Sequence, residues 1–179
     1  MATPSAPDPV KYLVAILWGD ESALPAVTAR LVARWGAIDL SGPDRAFDLT
    51  AYYEEEMGAN LSRRLIAFEP LASPEDLSAA KLACIAIEDE FRIGGRRRVN
   101  LDVGYLDHNK LVLASIKSAG QKIYLKDGVY ADLVARYARG RYEPFAWTFP
   151  DFKDGRYDAE LAAMRERYLE QIKRWRMPI

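Results

Sequence analysis

One stretch limits the possible folds of this chain more than any other. Val10–Trp18, Val-Lys-Tyr-Leu-Val-Ala-Ile-Leu-Trp, is a compact apolar run of strand length, ended by Gly19-Asp20. A run with no polar face cannot lie on a surface, so it predicts a central strand covered on both faces. The rest of the chain must supply that cover. Leu24, Val27, Leu31 and Trp35 recur at helical spacing, and Gly36 closes the helix. Short strand pieces are expected at Ile38-Asp39-Leu40 and Ala46 to Leu49, around a turn at Gly42-Pro43. Tyr52 to Gly58 is a polar connection, and Ser62 to Glu69 is a further strand.

Ser73-Pro74-Glu75-Asp76 reads as a helix start: a Ser cap, Pro at the first position, acids in the first turn. Leu77, Ala80, Cys84, Ile87 and Phe91 mark the buried stripe of that helix, and Gly94-Gly95 ends it. Arg96 to Leu101 then resumes an extended stretch. The order is βαββαβ, which predicts an α+β protein with a ferredoxin-like core: a mainly antiparallel sheet with both helices on one face. In that sheet the first and third strands are adjacent and central, and the fourth pairs with the first.

Beyond this core, Asp107 is expected to cap a short helix, with Leu106 and Leu111 as its staple and Gly120 as its end. Lys122 to Leu125 and Val129 to Tyr137 flank Lys126-Asp127-Gly128, a hairpin by its Asp-Gly pair. Tyr142 to Phe149 is a further strand. Tyr157, Leu161, Met164, Tyr168, Ile172 and Trp175 form one stripe of an amphipathic C-terminal helix. Residues 1–9 hold three prolines and are expected to be a disordered tail. Residues 10–179 are expected to form a single domain.

Composition removes several classes of function. Of 179 residues half are apolar, and formal net charge is -1, so no global field draws in nucleic acid or an anionic membrane. Nucleic acid is not expected as a partner, although Tyr124, Tyr130, Tyr137, Tyr142, Trp147 and Phe149 make the C-terminal hairpins aromatic. No apolar stretch reaches the ~20 residues a membrane span needs, and the N-terminal segment has no signal-peptide pattern. A cytoplasmic location without membrane attachment is expected. The single cysteine, Cys84, reads as a buried small hydrophobe. With one histidine, His108, no structural metal site is expected. Neither a phosphate-cradling Gly-x-x-x-x-Gly-Lys loop nor a Gly-x-Gly-x-x-Gly fingerprint occurs.

The densest polar cluster is Gly94 to Tyr105, with three successive arginines. In an extended strand Arg96 and Arg98 face one way and Arg97 the other, and Asn100 and Asp102 share the face of Arg96 and Arg98. Guanidinium groups suit phosphate or carboxylate. The competing reading is that the arginines pair with Glu54, Glu55 or Glu56 as scaffold. Arg63-Arg64 is a second basic pair, which reaches the fourth strand only across the first. Trp147-Thr148-Phe149-Pro150-Asp151 is the segment most suited to line a pocket.

Several of these segments resemble one known family. They are Tyr52-Tyr53-Glu54-Glu55-Glu56-Met57-Gly58, Arg96-Arg97-Arg98-Val99-Asn100-Leu101-Asp102-x-Gly104-Tyr105, Gly128-x-Tyr130-Ala131 and Trp147-Thr148-Phe149-Pro150-Asp151. With Pro9-Val10-Lys11, Phe47-Asp48 and Ile123-Tyr124-Leu125 they are similar to a bacterial and archaeal family catalogued as domain of unknown function 4416. Val103 and Phe149 depart from the proline and tyrosine that the resemblance leads one to expect. The resemblance implies no established activity. Some members carry the label GTP-binding protein, which the missing phosphate loop does not support in this chain.

Two functions are expected from these features. The first is binding of, or action on, a small anionic phosphorylated or carboxylated ligand. Arg96, Arg98, Asn100 and Asp102 would contact it, with Tyr105 and Trp147 at the rim, and Asp102 or Glu55 would be the acid–base group of an enzyme. The second is a non-catalytic interaction module or homo-oligomer with structural arginines. No cofactor is indicated.

Overall fold

Residues 3–177 are described by a computed structural model. Of the tail expected over residues 1–9, residues 1–2 lie outside the described residues. Residues 3–9 carry no helix or strand, and the Pro9 carbonyl accepts a hydrogen bond from Tyr168 Oη at 3.2 Å.

The fold is α+β and centres on β1 (Val10–Trp18), in which all nine residues are buried. Its neighbours are β4 (Ser62–Ala72) on one side and β5 (Val99–Leu106) on the other, both antiparallel. The sheet continues through β2 (Ile38–Ser41) beyond β4, and through β6 (Lys110–Ser115), β8 (Val129–Ala138) and β7 (Ile123–Lys126) beyond β5. Two short strands, β3 (Arg45–Ala46) and β9 (Arg141–Pro144), pair with β4 and β8.

Alternate residues of β1 feed two cores. Tyr12, Val14, Ile16 and Trp18 meet α1 (Leu24–Trp35) and α3 (Leu77–Glu90) through Val27, Leu31, Ala80 and Cys84. Leu13 and Ala15 face α5 (Asp158–Trp175) through Leu161, Met164, Tyr168 and Ile172. Lys11 is the exception in the apolar run. It is fully buried, and Nζ donates to Asp39 Oδ2 at 2.6 Å, the Phe68 carbonyl at 2.9 Å and Gln171 Oε1 at 3.0 Å. All three of its donors are used, as burial of an ammonium requires.

Cys84 is buried, and burial pushes its thiol well above the ordinary range. A thiol reagent is expected to leave it unmodified in the folded protein and to react in full once denaturant unfolds it. Labelling by 5,5′-dithiobis(2-nitrobenzoate) with and without urea measures this.

Several expected elements differ in the structure. The Ser73 side chain caps nothing; Pro74–Asp76 is a 3-10 turn, and the Ser73 carbonyl accepts from Tyr12 Oη. The helix expected after Asp107 is the hairpin of β5 and β6. Asp107 Oδ1 accepts from the backbone N–H of Asn109 and Lys110, which is a turn closed by the same side-chain chemistry that caps a helix. Leu106 and Leu111 do meet, as partners across the strands. The strand expected over Tyr142 to Phe149 stops at Pro144. Thr148 then folds back onto the carbonyl of Val134, and Phe149 precedes the short helix α4 (Pro150–Lys153). The polar connection contains the short helix α2 (Glu54–Met57). Trp175 leaves the buried stripe and is exposed. The Asp127-Gly128 turn has positive φ at both residues, 54° and 76°, as a two-residue hairpin demands.

Candidate functional site

Strands β5 and β6 pair over a short stretch: Gly104 with Leu113, Tyr105 with Val112, Leu106 with Leu111. Towards the start of β5 they diverge, while β6 continues its ladder with β8 as far as Ser115 and Tyr130. The backbone of Leu101 then needs other partners. They come from α3. Glu88 Oε1 accepts from Leu101 N at 2.6 Å, and Lys81 Nζ donates to the Leu101 carbonyl at 2.8 Å. These two residues, two turns apart, lie on the buried side of the helix.

The divergence opens a cavity of about 390 Å³. Its walls come from β4, β5, β6, β8, α3, the 47–53 loop and the start of α4. Arg63 holds it together from below. Arg63 is the register partner of Leu17, which in turn faces Asn100, so the guanidinium crosses β1 to reach the far strand. Nη2 donates to Asp102 Oδ2 at 3.0 Å, Nη1 donates to Asp151 Oδ2 at 2.6 Å, and the group lies 4.5 Å from the Phe47 ring. Tyr157 Oη donates to the same Asp151 oxygen at 3.2 Å.

Asp102 is the hub. Its Oδ2 also accepts from Asn100 Nδ2 at 3.0 Å, and its Oδ1 stands 3.6 Å from Lys81 Nζ. Burial works against the charged carboxylate, but Lys81 and Arg63 outweigh it and hold the group below the ordinary carboxylate range. Glu88 goes the other way: burial dominates and pushes its carboxyl up, against Lys81 and the Leu101 N–H. Arg97 donates to both oxygens of Glu56, at 2.8 and 2.5 Å, to Asn100 Oδ1 at 2.8 Å and to Glu88 at 3.4 Å. On the β6–β8 wall Lys122 Nζ donates to Ser115 Oγ at 2.9 Å and lies 3.3 Å from Asp132 Oδ2. Lys117 lies over the Tyr52 ring at 4.1 Å and donates to its hydroxyl.

The opposed shifts of Asp102 and Glu88 set opposite pH dependences. Asp102 has a folded value below its unfolded one, so its contribution to stability is present at neutral pH and is lost as pH falls through the carboxylate range. Glu88, raised on folding, contributes at low pH and loses that contribution as pH rises. The stability gap between wild type and Asp102→Asn is therefore expected to narrow as pH falls from 7 through the carboxylate range, because the unfolded chain takes up the proton before the folded one does. For Glu88→Gln the gap is expected to widen in wild type's favour over the same interval. Urea denaturation across that range measures both.

The sequence-derived candidates separate here. Asn100 and Asp102 line the cavity. Arg96 and Arg98 do not, because residues 96–98 are not strand: Ile93 and Arg96 bridge a turn through Gly94 and Gly95, and β5 begins at Val99. Alternation of faces does not apply before that point. Arg98 pairs with Asp20 and Ser22 outside the cavity, where Ser22 and Arg98 hold the Asp20 carboxyl down at about 2. Arg96 is exposed. It is Arg97 that turns inward, and its partner among the three glutamates is Glu56, while Glu55 is exposed and outside the lining. Tyr105 stacks on Tyr12 away from the cavity, with centroids 6.4 Å apart. Trp147 stacks on Phe145 and donates to the Leu133 carbonyl; its neighbours Phe149, Pro150 and Asp151 line the cavity instead.

Lys81, Glu88 and Asp132 were not singled out from sequence, while Arg63 stood only in the basic pair Arg63-Arg64 and Asp151 only at the end of the segment suited to line a pocket. For two of them a signal existed. Leu77, Lys81, Cys84 and Glu88 follow a 4-3-4 spacing, which places a lysine and a glutamate on the buried stripe of α3. Arg63 bridges Asp102 and Asp151, so the cluster offers charged pairs rather than a cage of carboxylates. Among the described residues, no three His, Cys, Asp or Glu stand close enough to hold a metal ion.

A family model described as Domain of unknown function (DUF4416) matches residues 8–168. No curated protein and no solved structure matches the chain.

Proposed function

This chain belongs to the DUF4416 family, and we propose that it binds a small anionic molecule in the cavity where β5 and β6 part. The observation that carries the reading is the charge set into the walls. Arg63, Lys81, Glu88, Lys122, Asp132 and Asp151 all have side chains at most 8% exposed, and all border one space. Buried ion pairs at best offset their desolvation, so stability gives no reason to gather them. Ligand sites are where such groups collect, and 390 Å³ is the size of a small-molecule pocket. Apolar walls from Phe47, Ile85, Leu113 and Ile116 match an organic body.

Two further points belong to the same reading. The order β2-β4-β1-β5, antiparallel throughout with α1 and α3 against one core, supports a ferredoxin-like unit extended by β6–β9 and α5. Two cores on opposite faces of one sheet support a single domain from Val10 onward.

The test is a thermal-shift screen of carboxylates and phosphorylated metabolites, with native mass spectrometry for ligands that copurify. A ligand at a hundred times its dissociation constant is expected to stabilise the protein by about 2.7 kcal/mol. Arg97→Gln, which takes from the cavity wall the cation paired with the Glu56 and Glu88 carboxylates, is expected to lose that shift and Arg98→Ala to keep it. Silence from every anion sinks the proposal.

A second reading, self-association, has one observation behind it. The edge strand β7 exposes Ile123 at 67% and Tyr124 at 58%. Light scattering of wild type against Tyr124→Lys separates it from the first.

A further inference from the structure

We propose that the ligand of this cavity carries a hydrogen-bond donor at the end opposite its anionic group, the donor seated on Asp102 and the anion on Lys117. The inference rests on the cavity being a ligand site and names the chemistry it selects.

The charges that line the space are unequally available. Arg63 is committed to Asp102 and Asp151, Arg97 to Glu56 and Glu88, and Lys122 to Asp132. Lys81 is committed to the Leu101 carbonyl and lies beside Asp102. Lys117 differs. Among the described residues it has no acidic partner; it meets the ring and hydroxyl of Tyr52, and it is exposed. A cation held only by a neutral tyrosine gains by meeting an anion.

The inner end has the reverse order of groups. Behind Asp102 stand Arg63 at 4% and Lys81 at 7% exposure, while the carboxylate itself is 23% exposed. A group arriving from the cavity therefore meets the carboxylate before the cations that neutralise it. Asp102 Oδ2 already accepts from Arg63 and Asn100, whereas Oδ1 has only the more distant Lys81, at 3.6 Å. A carboxylate oxygen takes more than one donor, so Oδ1 has capacity left. An anion placed there is repelled; a hydroxyl or ammonium is not.

Apolar side chains also line the space. Tyr52, Ile116 and Phe149 frame the mouth at 62%, 55% and 47% exposure, and Ile85 and Leu113 lie within. The ligand class that fits is an apolar or aromatic body with an anion at one end and a hydroxyl or amine at the other.

The experiment compares matched probes on the wild-type protein by thermal shift and calorimetry. One set is 3-(4-hydroxyphenyl)propanoate, 3-phenylpropanoate and 4-ethylphenol; a second is 6-aminohexanoate, hexanoate and hexylamine. (4-Hydroxybenzyl)phosphonate against benzylphosphonate repeats the comparison with a phosphonate anion. The expected result is at least tenfold tighter binding by the two-ended probe than by either one-ended partner in at least one set. Lys117→Gln, at an exposed site that leaves the buried network intact, is expected to remove the advantage conferred by the anion. Asp102→Asn is expected to remove the advantage conferred by an ammonium.

Equal binding of two-ended and anion-only probes overturns the inference and leaves the anionic-ligand reading standing. Failure of every probe, with binding of some other anion in the wider screen, has the same meaning. Failure of every probe and of the wider screen overturns both. The comparison on wild type does not depend on whether Asp102→Asn folds.

Discussion

Replacing Arg63 by Met is expected to cost about 3–5 kcal/mol of stability, the largest effect of any single substitution around the cavity. Asp151 is 2% exposed and loses the cation that donates to it at 2.6 Å; Asp102 keeps Asn100 and the more distant Lys81. The loss comes mainly from the carboxylate left unpaired in the protein, not from the pair's own net worth. The companion variant makes that distinction. Arg63→Met with Asp151→Leu removes the stranded charge as well, and is expected to recover much of the loss. Equilibrium urea denaturation gives both values. A single-variant cost below about 1 kcal/mol would mean that water reaches these carboxylates, and the argument from costly buried charge would fail with it.

Gly104→Ala is expected to destabilise by about 1–3 kcal/mol, unusual for the addition of one methyl group. A Cβ at this position would stand 2.6 Å from Leu113 Cδ2 and closer still to the Val112 carbonyl oxygen. The obstacle is partly backbone, and that backbone is fixed by the ladder from β6 to β8. The strands must separate at the last pair before they part, Gly104 with Leu113, so the substitution acts at the apex of the cavity. For a chain of this length the change corresponds to a fall in Tm of roughly 2–4 °C per kcal/mol. Gly120→Ala, with nothing within 4 Å of the added carbon, is the control and is expected to stay within about 0.5 kcal/mol. Calorimetry of the three proteins settles the comparison. Gly104 is a strand glycine that allows close approach.

Much of the fold was legible because local patterns carry it. The apolar run of β1, the stripes of α1, α3 and α5, and the Asp127-Gly128 turn are periodicities or turn chemistries that act within a few residues. The errors fell where one local chemistry serves two structures. Asp107 accepts from backbone N–H groups at the start of a helix or at a tight turn, and sequence does not distinguish them. The arginine run failed for a related reason: alternation predicts faces for a strand, and residues 96–98 lie in the turn before one.

The candidate site was legible in Asn100 and Asp102, because they do lie in the strand, and in the segment that ends Phe149-Pro150-Asp151. Which side chains meet them was not. Arg63 is 39 residues from Asp102 in sequence and meets it across β1. Asp151 lies 88 residues from Arg63. No pattern in one strand states which side chains a neighbouring strand or helix will direct at it.

The sequence by itself determined β1, the helices α1, α3 and α5 and most of their buried faces, because burial of apolar side chains follows the period of each element. Only the tertiary structure decided that β5 and β6 part beyond Gly104 and that α3 supplies Lys81 and Glu88 to the backbone so exposed. It also decided that Arg97, not Arg96 or Arg98, faces the space. Those outcomes depend on strand register and on long side chains crossing between elements, and both are fixed only when the whole sheet assembles.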